Sequence, residues 1–121
     1  INTEGNNKIN FLIKNSLIKN KNTSENKKNL RIELKTDLKE EVFEKNIRNE
    51  VTKYRVIINT KVGLSFDNYD TQNFTISKVG EYRVGSTSLE SSTNVGNLEQ
   101  SLSKEIVKEI EKKVLVLKND F

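Results

Sequence analysis

Six residue types are missing from this 121-residue chain: Cys, His, Met, Trp, Pro and Ala. Without Cys or His there is no conventional zinc site, no thiol nucleophile and no His-based triad. Zero cysteines leave the redox compartment open. No apolar run approaches the ~20 residues that cross a bilayer as a helix. The five glycines form no phosphate-cradling loop, and no internal repeat is visible. Apolar residues make up 33% and charged residues 31%, a balance that by itself suggests disorder. Asn accounts for 17 positions, and the excess of Lys, Asn and Ile over Ala and Pro matches A/T-rich codons. The net charge of +4 is therefore a weak sign of an anionic partner. The chain does not begin with Met, and we expect a processed piece from which a signal peptide or lipid-attachment site has been removed.

What is present is periodic. Tyr54, Val56, Ile58, Thr60, Val62, Leu64 and Phe66 alternate with mostly polar neighbours, the pattern of a long strand buried on one face. Leu30, Ile32, Leu34 and Leu38 keep the same period, and we expect one strand with a bulge or bend near Asp37. Lys45 to Asn49 reads as a turn. Phe74, Ile76, Tyr82 and Val84 form a third strand, with a bulge at Gly80. Ile9, Leu12, Ile13 and Leu17 follow helical spacing over about residues 7–19, while Phe11 and Ile18 lie on the other side. A second helix carries Leu98, Leu102, Ile106, Ile110, Val114 and Leu117 on one face, with Val107 at its margin. A capping box at Asn97-x-x-Gln100 would start it, with Glu99 in its first turn and Glu109 paired to Lys112 and Lys113. Residues 20–29 and 67–73 read as mobile polar loops.

Three antiparallel strands with one apolar face need a cover, and two amphipathic helices supply it. The expected fold is a single α+β domain over residues 1–121. It is a two-layer sandwich, with two helices on one face of a three- to four-stranded, mostly antiparallel sheet whose other face stays open. That open face carries Arg31, Lys35, Lys53, Arg55, Lys61 and Arg83 against Glu33 and Glu81. Like charges so placed repel unless an anion joins them, and phosphates on nucleic acid or lipid headgroups suit such a face. Tyr54, Phe66, Phe74 and Tyr82 take the core phase, so the face lacks aromatics for stacking bases, which counts against RNA or single-stranded DNA. Glu40 with Glu41, or Glu109 with Glu111, could be proposed as acid–base pairs, but each lies in a charge-rich, solvated stretch. No cofactor is implied, and an enzyme is the least favoured class.

The order of elements resembles the lipopolysaccharide-assembly lipoprotein family LptE, particularly its α-proteobacterial form. The segments that carry the resemblance are INFLIKNSL, NLRIELK, TKYRVIINTKVGLSF, GEYRVGSTSL and NLEQSLSKEIVKEIEKKVLVL, spanning nearly the whole chain. The resemblance implies a lipid-anchored protein at the periplasmic side of the outer membrane. Such a protein plugs an LptD-like β-barrel, assists its assembly and binds lipopolysaccharide through basic residues. It also implies a further strand at or before residues 1–4. The family's basic contact before the central strand maps to Lys45 or Arg48, and the anion-binding set expected here is Lys45, Arg48, Lys53, Arg55, Lys61 and Arg83. The family's other contact, in the loop before the last helix, has no counterpart, because residues 91–97 contain no Lys or Arg. The alternatives are an auxiliary lipoprotein of another envelope lipid transporter, or a basic nucleic-acid-binding module whose binding would be salt-sensitive. Nucleic acid is not the expected partner.

Overall fold

A computed structural model describes residues 2–20, 30–66 and 71–120. The elements run β1 (Asn2–Gly5), α1 (Asn7–Asn20), β2 (Leu30–Lys45), β3 (Val51–Phe66), β4 (Gln72–Arg83) and α2 (Ser88–Asp120). The four strands form one sheet in the order β1-β2-β3-β4. β1 pairs parallel with β2, whereas the β2–β3 and β3–β4 pairs are antiparallel. The fold is the expected α+β sandwich, and the further strand expected at or before residues 1–4 is β1, at Asn2–Gly5.

The alternation in β3 places Val56, Ile58, Thr60, Val62 and Leu64 inside, together with Ile32 and Leu34 of β2 and Ile76 of β4. Ile9, Ile13 and Leu17 of α1 and Leu102, Ile106, Val107 and Ile110 of α2 close over them as one core. Each such side chain contributes roughly 1.5–3 kcal/mol on full burial. Val107, expected at the margin, is 3% exposed.

The two threonines in the core phase, Thr36 and Thr60, need hydrogen bonds there. Thr36 Oγ1 donates to Asn10 Oδ1 at 2.6 Å and lies 3.2 Å from Thr60 Oγ1. Asn10 Nδ2 donates in turn to the Glu4 carbonyl at 2.9 Å, so a buried polar chain ties α1 to three strands. Beside it the chain reverses at Gly5 (φ 90°), where a Cβ would stand 2.1 Å from the Thr36 carbonyl oxygen. Asn6 then donates its N–H to that same oxygen at 2.8 Å, and its side chain caps α1 by accepting the Ile9 N–H at 2.9 Å.

Several expectations are corrected. β2 runs through Asp37 in register with Asn59, and its irregularity falls instead at Val42, Glu44 and Lys45, next to the hairpin. Gly80 sits opposite Val56 without a bulge, and its missing Cβ makes room for Leu98, whose Cδ1 would lie 2.5 Å from one. α2 begins at Ser88, well before Asn97. Thr87 is its cap, accepting the Glu90 N–H at 3.1 Å, and a helix is already under way where Asn97 and Gln100 stand. Glu99 is consequently no first-turn residue but a buried one, ion-paired with Lys8 of α1 at 2.6 Å. Glu109 pairs with Lys78 at 3.2 Å rather than along its own helix. Phe11 stays 62% exposed, and the Ile18 side chain lies outside the described residues. Of the loops expected to be mobile, 21–29 and 67–70 lie outside the described residues, whereas Asn20 belongs to α1 and Gln72 and Asn73 to β4.

Candidate functional site

The open face of the sheet is built by the odd-numbered positions of β2, β3 and β4, and the register sorts them into rows across the strands. Glu4, Lys35, Lys61 and Thr75 make one row, and Asn2, Glu33, Gly63 and Asn73 the next. Asp37, Asn59 and Ser77 follow, then Lys39, Ile57 and Val79, then Glu41, Arg55 and Glu81. Lys53 and Arg83 stand opposite each other in the last row.

This geometry separates the six expected anion-binding residues. Lys53 and Lys61 lie eight positions apart on one strand, roughly 26 Å at ~3.3 Å per residue, so they cannot share a small ligand. At the hairpin end the cations are largely matched. Arg55 reaches Glu41 at 3.6 Å, and Lys53 reaches Glu44 at 3.7 Å. Asp37 and Glu41 share the phase of Glu33 and Glu81, so the face carries two carboxylates more than the sequence expectation of Glu33 and Glu81. Arg83 has no ion-pair partner among the described residues and faces Lys53. Lys45 and Arg48 are exposed beside the turn, with the fully exposed Ile47 between them and Glu44 and Glu50 flanking. Asn46 organises that turn, its Oδ1 accepting the N–H groups of Arg48 and Glu50 at 2.9 and 3.0 Å, with Asn49 at φ 65°.

The face is also not free of aromatics. Phe43 has the odd-numbered phase of the open face, and the Arg55 guanidinium stacks on its ring at 4.3 Å from the centroid. Strict alternation already places Phe43 here; what the irregularity changes is Glu44, an even-numbered residue brought opposite Lys53.

At the opposite end, Lys35 and Lys61 are direct cross-strand neighbours with no carboxylate at ion-pair distance among the described residues. They border a shallow cavity of about 700 Å³ that runs over β1 to β4 and is also lined by Asn2, Glu4, Glu33, Asn73 and Thr75. Its floor includes Gly63, which adds no side chain to fill it; Asn73 Oδ1 would stand 3.1 Å from a Cβ there. Two ammonium groups, two amides and a hydroxyl can together hold an anionic, hydroxyl-rich group such as a phosphorylated sugar. Glu4 and Glu33 would repel a second negative charge, so the arrangement favours one anionic group over a polyanion. Of the six expected residues only Lys61 belongs here. Its partner Lys35 was visible as a face residue, but the pairing that makes it matter comes from the register.

Glu40 and Glu41 do not meet as a pair. Glu40 lies on the helix side and accepts the Tyr82 hydroxyl at 2.5 Å, while Glu41 lies on the open side with Arg55. Burial, then the hydrogen bond and charge of Glu40, raise the Tyr82 pKa above the ordinary phenol value, and the Tyr54 ring stacks on it at 5.6 Å. Among the described residues no group of three or more Asp or Glu is placed to hold a metal ion.

No protein-family model matches the sequence, and no curated protein does. Among solved structures, rare lipoprotein B from Shewanella oneidensis superposes with a TM-score of 0.64 at 14% identity, over 97% of this chain and 97% of that one. The similarity is therefore one of fold, carried end to end: this chain shares the α+β architecture of rare lipoprotein B.

Proposed function

We propose that this chain is a non-enzymatic, lipid-anchored subunit of the outer-membrane lipopolysaccharide translocon. On this reading it plugs an LptD-like β-barrel from the periplasmic side and assists its assembly. The observation that carries the reading is the co-extensive fold, shared over 97% of both chains with a protein that is by name a lipoprotein. The sequence resemblance to the LptE family points the same way. A protein that works by filling another needs shape and a mixed polar surface rather than a reactive pocket, and the open face offers alternating ion pairs, amides and small apolar groups. The lipopolysaccharide contact is assigned to Lys35 and Lys61 rather than to Lys53 and Arg55, whose charges are already engaged by Glu44 and Glu41.

The test is purification of the full-length, lipid-anchored protein from detergent-solubilised membranes, with mass spectrometry of whatever accompanies it. An outer-membrane β-barrel at near-equal amount is the expected result. An inner-membrane transporter, nucleic acid or no companion overturns the reading. In a direct binding assay, K35E/K61E weakens lipopolysaccharide binding by about tenfold, the loss of roughly one charge-assisted contact. K45E/R48E changes it by less than about twofold, the scale of exposed charges.

A further inference from the structure

Among the described residues nothing pairs with the outer edge of β4, and we propose that it receives an extended segment of a partner polypeptide by strand addition. The hydrogen-bond phase follows from one bond at the end of the ladder and the register. Val84 donates its N–H to the Thr52 carbonyl at 2.9 Å, so the even-numbered residues of β3 and β4 face each other. The backbone groups of Thr75, Ser77, Val79 and Glu81 therefore point away from β3, where no strand follows in the sheet order. Arg83 has the same phase, and its outward carbonyl is satisfied, accepting the Asn94 Nδ2–H at 2.8 Å. For the four residues before it, no described group does the same.

Strand edges are ordinarily blunted by charges, proline or bulges. β2 shows such protection where it extends beyond β1: Asp37, Lys39, Glu40, Glu41 and Glu44 crowd it and its register is irregular. β4 has none of this from Thr75 to Val79. Its register with β3 is unbroken, its open-face residues there are Thr75, Ser77 and Val79, and Val79 is 56% exposed. The one charge in that stretch, Lys78, is drawn onto α2 by Glu109.

The occupant is not a second copy. α2 lies directly over β4, with Leu98 above Gly80 and Lys113 above the Phe74 ring. Pairing two β4 edges would set the strands ~4.8 Å apart, and the helices above them would be forced closer than the 8–10 Å that packed helices need. The segment that fits is a single extended strand with no helix on that side. It is uncharged beside Thr75, Ser77 and Val79, and it carries a carboxylate beside Arg83, which otherwise meets only Lys53.

The test places the photocrosslinker p-benzoylphenylalanine at position 75, 77 or 79 of the full-length chain in its native cells, and maps adducts by mass spectrometry. Strand addition yields adducts on one partner segment, with the attachment point stepping by about two residues as the crosslinker moves by two. With the crosslinker at position 75, Ser77→Pro lowers the yield by about five- to tenfold, since it deletes an outward N–H and no backbone bond to β3; Ser77→Ala, which loses only the hydroxyl's bond to Asn59, leaves the yield unchanged. Val79→Lys, a charge guard that leaves the backbone intact, lowers the yield likewise if the proline variant folds poorly by circular dichroism. Adducts that do not step, adducts on this chain itself, or undiminished yield in the folded proline or lysine variant overturn the proposal. A stepped adduct on a protein other than a barrel upholds the edge and sinks the translocon reading. A co-purifying barrel without stepped adducts does the reverse.

Discussion

Asn10 sits on α1 with its amide inside the protein, joining Thr36 on β2 to the Glu4 carbonyl of β1. Replacing it with Leu removes the acceptor of the buried Thr36 hydroxyl, which keeps Thr60, and the donor to the Glu4 carbonyl; we expect a loss of about 1–3 kcal/mol in urea denaturation. Thr36→Val takes the partner from both Asn10 Oδ1 and the Thr60 hydroxyl, and we expect a comparable loss of about 1–3 kcal/mol. Tyr82 gives a pH signature. Its folded pKa lies above the ordinary phenol value of about 10, so its contribution is complete below that pH. As pH rises past it the unfolded state ionises first, and stability falls. Tyr82→Phe flattens that alkaline decline in denaturation curves taken from pH 8 upward while leaving the neutral-pH slope unchanged. None of these partners is legible in the sequence. Asn10 is one of many asparagines, and only the register of β2 with β1 shows what it meets.

At the scale of elements, α1 and α2 are joined across the core by Lys8 and Glu99, whose side chains are 60% and 11% exposed. Lys8→Ala leaves the buried carboxylate unmatched and should destabilise the chain by about 1–2 kcal/mol. Glu99→Gln, which removes the charge but keeps a hydrogen-bonding group, should cost under about 1 kcal/mol, so the ordering of the two variants in thermal melts is diagnostic. Helical spacing identified the apolar face of α2 from Leu98 onward but missed its first turns. Ser88 to Asn97 are mostly small and polar, Leu89 is exposed, and what makes them helical is the Thr87 cap and the anchoring of Asn94 to the Arg83 carbonyl. Gly80 was misread for a related reason: a glycine in a strand suggests a bulge, yet here it provides close approach for Leu98.

Across the whole molecule, the sheet presents one face to the helices and the other to whatever the protein meets, and charge on that open face is distributed by register. Lys35 and Lys61 oppose each other directly, an arrangement that costs roughly 0.2–1 kcal/mol when no anion lies between them. Lys61→Gln should therefore raise the melting temperature at low ionic strength, and the gain should fade as salt screens the pair. If the gain does not depend on salt, mutual repulsion is not its cause. The hairpin end behaves differently, because Arg55 and Lys53 already have Glu41 and Glu44. A basic composition thus becomes one charge-balanced end and one end with an unmatched lysine pair.

The amino-acid sequence alone determined the class of fold, the two helices, the long strands and which side of β3 is buried, because burial on one face of a strand or helix writes its period directly into the order of residues. Tertiary structure decided what the period does not encode. Which lysine faces which, whether Glu44 turns out of the core phase, where Glu99 finds its partner and which strand edge stays open all depend on register and on neighbours far away in the chain. A contact between residues 35 and 61 leaves no local trace in the sequence, since each is a lysine at a solvent-facing position, and such positions look alike until the strands are laid side by side.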